Sequence, residues 1–438
     1  MALIVQKYGG SSVSDVEAIK RVAKRIVETR NAGHKLVVVV SAMGDTTDEL
    51  LDTAAQITDN APEREMDILL TAGERISMSL LSMAINELGV PAQAFTGAQA
   101  GIHTTSAYGR AQITGMVPER IARSISEGQV AIVAGFQGIS DNDDVTTLGR
   151  GGSDTTAVAL AAALHADVCE IYTDVDGLFS ADPRIVPKAH RLRSISTEET
   201  LELAAHGAKI LHLRAVEFAR RYKVPLHVRS SFSEKEGTWI SDRPASPALM
   251  GLVPDAAFLD PKEGKMEQPI ISGIAHDRGQ DKITVAGVPN HPGRAAMVFQ
   301  TIAAAGANID MIVQNIPVAD PTRANITFTI PEADAQVALD ALESAKDEIG
   351  FKEVRYNPNI GKLSLVGTGM RTNPGVAARL FAALSEAGIN IDLISSSEIR
   401  LSIVTKLDDL DRAVAVVHSA FGLDAEVSEA VVYAGTGR

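Results

Sequence analysis

Short, uninterrupted apolar runs alternate with helix-spaced stretches through the first half of the chain. From Leu36 to Val40 every position is apolar, the pattern of a strand buried on both faces, as in a parallel sheet with helices on either side. Strands are predicted at 2–7, 35–41, 92–96, 130–136, 168–173 and 225–229, with helices at 13–29 and 48–56. The economical arrangement is an α/β fold, a three-layer α/β/α domain with a mostly parallel sheet over residues 1–238. Between 239 and 269 the pattern dissolves into a stretch with five prolines in 31 positions, where a linker is expected.

Beyond the linker the chain repeats itself. Ile283-Thr-Val-Ala-Gly-Val is followed by Pro292-Gly293, Phe299 and Ala305-Gly-Ala-Asn-Ile-Asp310, and Leu363-Ser-Leu-Val-Gly-Thr by Pro374-Gly375, Phe381 and Ala387-Gly-Ile-Asn-Ile-Asp392. Each copy then offers a strand (325–330; 398–405), a helix (333–344; 410–421) and a last strand (352–356; 429–433). The order predicts two ferredoxin-like βαββαβ domains, 270–350 and 351–438. Two copies of so long a period do not make a solenoid.

Composition narrows the class. With 45% apolar, 22% charged and 4% aromatic residues, the chain is built for an Ala/Val/Ile/Leu core, which excludes a disordered or disulfide-scaffolded protein. The single cysteine, Cys169, falls in a predicted strand and is expected to be packed in the core. A net charge of −14 provides no general field for nucleic acid or acidic lipid, so any phosphate must be held by a local pocket. The start shows no basic region ahead of a signal-length apolar stretch, and no uninterrupted apolar run approaches the ~18 residues of a membrane span. A cytoplasmic protein with no membrane or nucleic-acid partner is the expectation.

Candidate chemistry gathers at Gly-rich turns. Lys7-Tyr-Gly-Gly-Ser-Ser12 closes the first strand and opens the first helix, where close backbone approach, free N–H groups and a lysine make a phosphate site. A Gly-Gly turn of this kind is as readily structural, and Walker spacing is absent. Thr147-Leu-Gly-Arg150-Gly-Gly-Ser-Asp154 precedes an Ala-rich helix at 157–163 and is richer, with a guanidinium fork and a candidate N-capping aspartate. Thr173-Asp174-Val-Asp176-Gly177 ends a strand, and Ala181-Asp182-Pro-Arg184 follows it in a loop. Carboxylates there could meet a ribose, a base amino group or solvated Mg²⁺, or make Asx turns. Lys209 could reach a phosphate, and Glu74 is placed at a helix start. No residue is assigned as a metal ligand.

Taken together, Lys7-Tyr-Gly-Gly-Ser-Ser, Val39-Val-Ser-Ala-Met-Gly44, Leu70-Thr-Ala-Gly-Glu-Arg75, Gly135-Phe-Gln-Gly138, Thr147 to Asp154, Tyr172-Thr-Asp-Val-Asp-Gly177 and Ala181 to Arg184 resemble the amino-acid kinase superfamily. Within it they are most similar to the aspartate kinases with a tandem ACT regulatory region, of the actinobacterial type. One small departure is Tyr8 and Ser11 in an opening motif that usually reads Lys-Phe-Gly-Gly-Thr-Ser. The resemblance implies transfer of the γ-phosphoryl group of ATP, with Mg²⁺, to L-aspartate, the first step of lysine, threonine and methionine biosynthesis. Lys7 and Asp154 would be the catalytic residues, Asp154 by orienting the lysines. Lys7, Gly9 and Gly10 would hold the ATP phosphates, with Ser11 and Ser12 beside them. Thr173, Asp174, Asp182, Arg184 and Lys209 would line the nucleotide pocket. Ser41, Thr47, Gly152 and Ser153 would line the substrate site, where Glu74 receives the ammonium and Arg150 the α-carboxylate. Other members of the superfamily, and a catalytically dead amino-acid binder on the same fold, are the rival readings.

Feedback control is the second implication. Lysine and threonine would bind where ACT units of two chains pair. Asn290, Gly293, Ala295, Asn308, Ile309, Asp310 and Gln314 would serve from the first copy, with Val376, Ala377, Asn390, Ile391 and Ser397 from the second. Position 290 is Asn where relatives commonly carry Asp, so sensitivity could be weaker or altered. Assembly through the ACT units is expected, as a homo-oligomer or as α₂β₂ with a regulatory subunit started at Met250 or Met266.

Overall fold

The computed structural model describes residues 1–438 apart from 209, 243–269, 369, 371, 372, 374, 426–430, 432 and 434–438. Lys209, Met250, Met266 and most of the expected linker therefore lie outside the described residues. Contacts divide the chain into two compact units, one drawn from 1–183, 187–266 and 425–438, the other from 184–186 and 267–424.

The first unit is built on an eight-stranded sheet. Its order is Ser194–Ile195, Thr238–Ile240, Leu226–Ser230, Val168–Thr173, Leu3–Tyr8, Lys35–Val40, Val130–Ala134 and Ala92–Phe95. Every pair is parallel except Leu226–Ser230 with Thr238–Ile240. Alternate residues of the sheet, among them Ile4, Tyr8, Val38 and Ile132, pack on the helices Val16–Asn31 and Glu63–Glu87. Lying against the strands of the opposite face, helix Gly152–Ala163 completes the three layers. Its residues from Gly152 to Ala161 are all buried, which its small, uniformly non-charged Thr/Ala/Val sequence after Asp154 permits.

Two features of this unit depart from the expectation. A second, four-stranded sheet of Ile113–Met116, Ile102–Thr104, Gln137–Ser140 and Val145–Thr147 escaped the apolar pattern, because its strands are three or four residues long. Glu74, expected at a helix start, lies in the middle of Glu63–Glu87. Gly73, within the same helix, serves close packing, since a Cβ there would lie 2.6 Å from that of Ala42. By length and hydropathy this helix could also cross a membrane. One stripe of it is buried, with Leu70, Met78, Leu81 and Ile85 inside, while Ile68, Ile76 and Met83 are exposed.

The second unit holds two four-stranded antiparallel sheets, with orders Asp310–Asn315, Arg323–Pro331, Gln280–Pro289, Glu353–Asn357 and Ile270–Asp277, Ile360–Thr368, Arg400–Lys406, Leu393–Ser396. The first copy is a complete βαββαβ unit that runs on to Asn357. The second borrows its fourth strand from upstream of the first, because Ile270–Asp277 pairs with Ile360–Thr368. Of its expected last strand at 429–433, residues 429, 430 and 432 lie outside the described residues; Tyr433 donates its backbone N–H to the Asp174 carbonyl of the first unit. Strand pairing is non-local, so sequence order alone placed residues 270–277 with the first copy. The two copies also exchange ion pairs. Asp392 binds Lys282 at 2.8 Å, and Asp310 binds Lys362, a lysine only 1% exposed.

Candidate active site

The carboxyl ends of the central parallel strands, the usual place for a ligand in such a sheet, carry the chemistry. Lys7 is the penultimate residue of Leu3–Tyr8 and projects to the face covered by Gly152–Ala163, where its Nζ meets Asp154 Oδ1 at 2.6 Å. Asp154 is thus not the N-cap of that helix. Gly151 is, at φ +71°, with its own Cβ position filled by the His212 ring, so only glycine fits. Freed from capping, the Asp154 carboxylate in the first turn fixes the lysine.

Glu74 reaches the same place from its helix. It is 3% exposed; Oε1 accepts the Ala42 N–H at 3.2 Å, and Oε2 has no hydrogen-bond partner among the described residues. Burial pushes its carboxyl up to about 7. Ser77, one turn on, donates to the Ser41 carbonyl at 2.7 Å and ties the helix to the Ser41 turn. Lys7, Gly10, Ser41, Thr47, Glu74, Arg150, Gly152, Ser153 and Asp154 line one cleft of about 440 Å³. The Arg150 side chain is exposed at its rim.

Two residues of the site carried no role in the sequence reading. Asp67, 1% exposed, accepts from the N–H groups of Gly109 (2.9 Å) and Thr147 (2.8 Å) and from the Thr147 hydroxyl (2.7 Å). It anchors the loop that leads to Arg150. Its signal was present: Asp67 and Glu74 stand two helical turns apart on one buried stripe. Phe136 lines the cleft at φ +68°, a conformation a bulky residue adopts only when its surroundings hold it. The Thr156 hydroxyl and the Leu148 N–H bind its backbone N–H and carbonyl.

Gly9, Ser11, Thr173, Asp174, Asp182 and Arg184 do not line this cleft. Gly9 lies beside the strand that ends at Thr173, its N–H 3.4 Å from the Tyr172 carbonyl. The Thr173 hydroxyl donates to Asp174 at 3.0 Å. Asp182 follows in a loop, and Arg184 groups with the second unit. In the second unit Val376, Ala377 and Ser397 line a cavity of about 270 Å³ that Asn390 and Ile391 do not reach. Gly293, at φ +95°, caps the helix Arg294–Ala304 with Ala295 in its first turn, while Asn290 donates to the Pro321 carbonyl at 3.1 Å. The Asn308 N–H is held by Asp334 at 3.2 Å, Ile309 packs on the core of the first copy, and Gln314 is exposed on the edge strand.

Comparison with known proteins gives the family. The Amino acid kinase family matches residues 2–230, and the ACT domain matches 283–345 and 363–421. An aspartokinase of Mycolicibacterium smegmatis is 57% identical over 439 residues, covering 100% of both chains. The chain belongs to the aspartokinase family. As an aspartokinase it is an enzyme, a kinase whose ACT repeats fit feedback regulation. Aspartokinase III of E. coli, solved with aspartate and ADP, has the same fold at 24% identity, with a TM-score of 0.78 over 96% of this chain and 100% of that one. The same aspartokinase solved with lysine and aspartate gives 25% identity and a TM-score of 0.68 over 95% of this chain and 99% of that one.

Proposed function

We propose that the cleft seats L-aspartate between Glu74 and Arg150 and that the enzyme moves the γ-phosphoryl group of ATP onto its side-chain carboxylate, releasing ADP and 4-phospho-L-aspartate. One observation carries the reading: a buried carboxylate with an unpartnered oxygen shares a cleft with an exposed guanidinium and a lysine held by Asp154. An α-amino acid supplies the complement, an ammonium for Glu74 and a carboxylate for the Arg150 fork. Its second carboxylate is ionised at neutral pH and needs no general base. The task of the site is to suppress repulsion between two anions and hold them in line. Lys7, steered by Asp154, supplies positive charge where it develops in the transition state. The Gly9–Gly10 turn, Ser11 and Ser12 offer donors to the phosphates, and Thr173 and Asp174 a seat for the nucleoside.

Mg²⁺ fits this arrangement as a passenger on the nucleotide. No group of three His, Cys, Asp or Glu side chains among the described residues would cage it, and Mg²⁺ is commonly held by phosphates, waters and one or two carboxylates. Bound there, it would neutralise phosphate charge.

Lysine and threonine are the effectors we assign to the ACT repeats, in a cytoplasmic enzyme of the pathway to lysine, threonine and methionine. The exposed Gln314 edge and the cavity at Val376, Ala377 and Ser397 support small-zwitterion sites. Assembly would proceed through these repeats, as a homo-oligomer or as α₂β₂. The test is coupled ADP release: turnover with aspartate and not glutamate, inhibited by lysine, threonine or both at millimolar levels. Turnover with glutamate alone overturns the substrate assignment, and indifference to both effectors overturns the sensor assignment.

A further inference from the structure

Asp176 belongs to the acidic turn that sequence reasoning aimed at ribose or Mg²⁺, yet it faces inward. It is 1% exposed, and its carboxylate takes the Ser233 hydroxyl at 2.6 Å, the Lys235 ammonium at 2.8 Å and, more loosely, the Tyr433 hydroxyl at 3.4 Å. Tyr433 makes two more contacts. Its N–H donates to the Asp174 carbonyl at 3.0 Å, and its ring stacks on Phe232 with centroids 5.9 Å apart and planes 12° from parallel. Phe232 in turn lies 4.6 Å under the Arg21 guanidinium, and the Ser231 N–H donates to the Thr173 carbonyl at 3.0 Å.

Backbone and side chains thus hold the turn from Thr173 to Asp176 at five points, two of them from one residue close to the C-terminus. A turn at the end of a parallel strand has few ladder bonds of its own, so its carbonyls and carboxylates need outside partners to stay in one conformation. We propose that Tyr433 is a positioning residue for the nucleotide, which with Asp176 sets the geometry of the Thr173–Asp174 turn. Its effect passes through the turn, not through contact with ATP. The inference rests on the proposed seating of the nucleoside at Thr173 and Asp174.

Steady-state kinetics of the full-length enzyme test it with Tyr433→Ala, Tyr433→Phe and Asp174→Ala. Loss of an aromatic pair and of a hydrogen bond to a charged group predicts that Tyr433→Ala raises KM for ATP about three- to tenfold. KM for aspartate and the melting temperature stay near wild type, because the residue is partly exposed and far along the chain from the aspartate groups. Tyr433→Phe, which keeps ring and backbone, restores most of the ATP affinity, and Asp174→Ala raises the same constant. A wild-type KM for ATP in Tyr433→Ala beside a raised one in Asp174→Ala overturns the role of Tyr433 and leaves the nucleotide seat standing. If neither variant moves it, both assignments fall. If Tyr433→Ala raises both KM values and lowers the melting temperature, Tyr433 serves general packing and the proposal is wrong.

Discussion

Replacing Glu74 by Gln separates what this carboxylate does for the substrate from what it does to the fold. The side chain is 3% exposed with one hydrogen bond, and burial raises its carboxyl from the ordinary 4.5 to about 7. Between those two values the folded state holds a proton that the unfolded chain has released. Its contribution to stability is therefore fully present below about 4.5, is lost as the pH rises to about 7, and is flat above. The span corresponds to about 3 kcal/mol. Glu74→Gln keeps the shape without the charge, so the ligand-free variant should gain on wild type by up to about 3 kcal/mol at high pH and gain nothing at low pH. Trp239 is the only tryptophan and lies in the sheet of the first unit, so urea unfolding followed by its fluorescence at about pH 5 and about pH 8 reads the relevant unit. Other groups titrate in this range, but they cancel in the difference between the two proteins. Aspartate should reverse the order, since its ammonium pairs with the ionised carboxylate. In wild type its KM should climb about tenfold per pH unit below about 7, and in the variant it should rise more than about 100-fold with little pH dependence. A stability difference that is the same at both pH values, or a variant that binds aspartate normally, would refute the argument.

Arg150→Lys should lower kcat/KM for aspartate by roughly 30- to 150-fold with ATP binding retained, as a point charge cannot replace a bidentate fork at a carboxylate; wild-type kinetics would remove Arg150 from the site. Lys7→Ala should leave circular dichroism unchanged and turnover below about a tenth of wild type, because its charge acts in the transition state. Asp67→Ala strands three buried donors and should shift the urea midpoint by the equivalent of about 3 kcal/mol or more. Gln314→Ala, on the exposed edge of the first repeat, should relieve inhibition by lysine or threonine while the uninhibited kcat stays close to wild type.

The strands that form the layered core were legible because a strand covered on both faces must be apolar throughout, and Leu36 to Val40 shows it without help from any neighbour. The Gly-rich turns were legible too, since positive φ and close backbone approach leave few alternatives to glycine. The repeated ferredoxin-like order of the second half was legible as well, because each copy carries its own helix and strand periodicity. Pairing was another matter. Which strand completes the second copy depends on Ile270–Asp277 meeting Ile360–Thr368 across an entire intervening domain, and no local pattern records such a meeting. Only the folded chain reveals that Glu74 is mid-helix and desolvated, that Asp154 holds Lys7 in place of a helix end, and that Asp176 turns inward to Ser233, Lys235 and Tyr433. The physical reason is common to all three: a carboxylate looks the same in sequence whether it caps a helix, binds a ligand or satisfies a buried cation, and only burial and the partner within about 3 Å tell these apart.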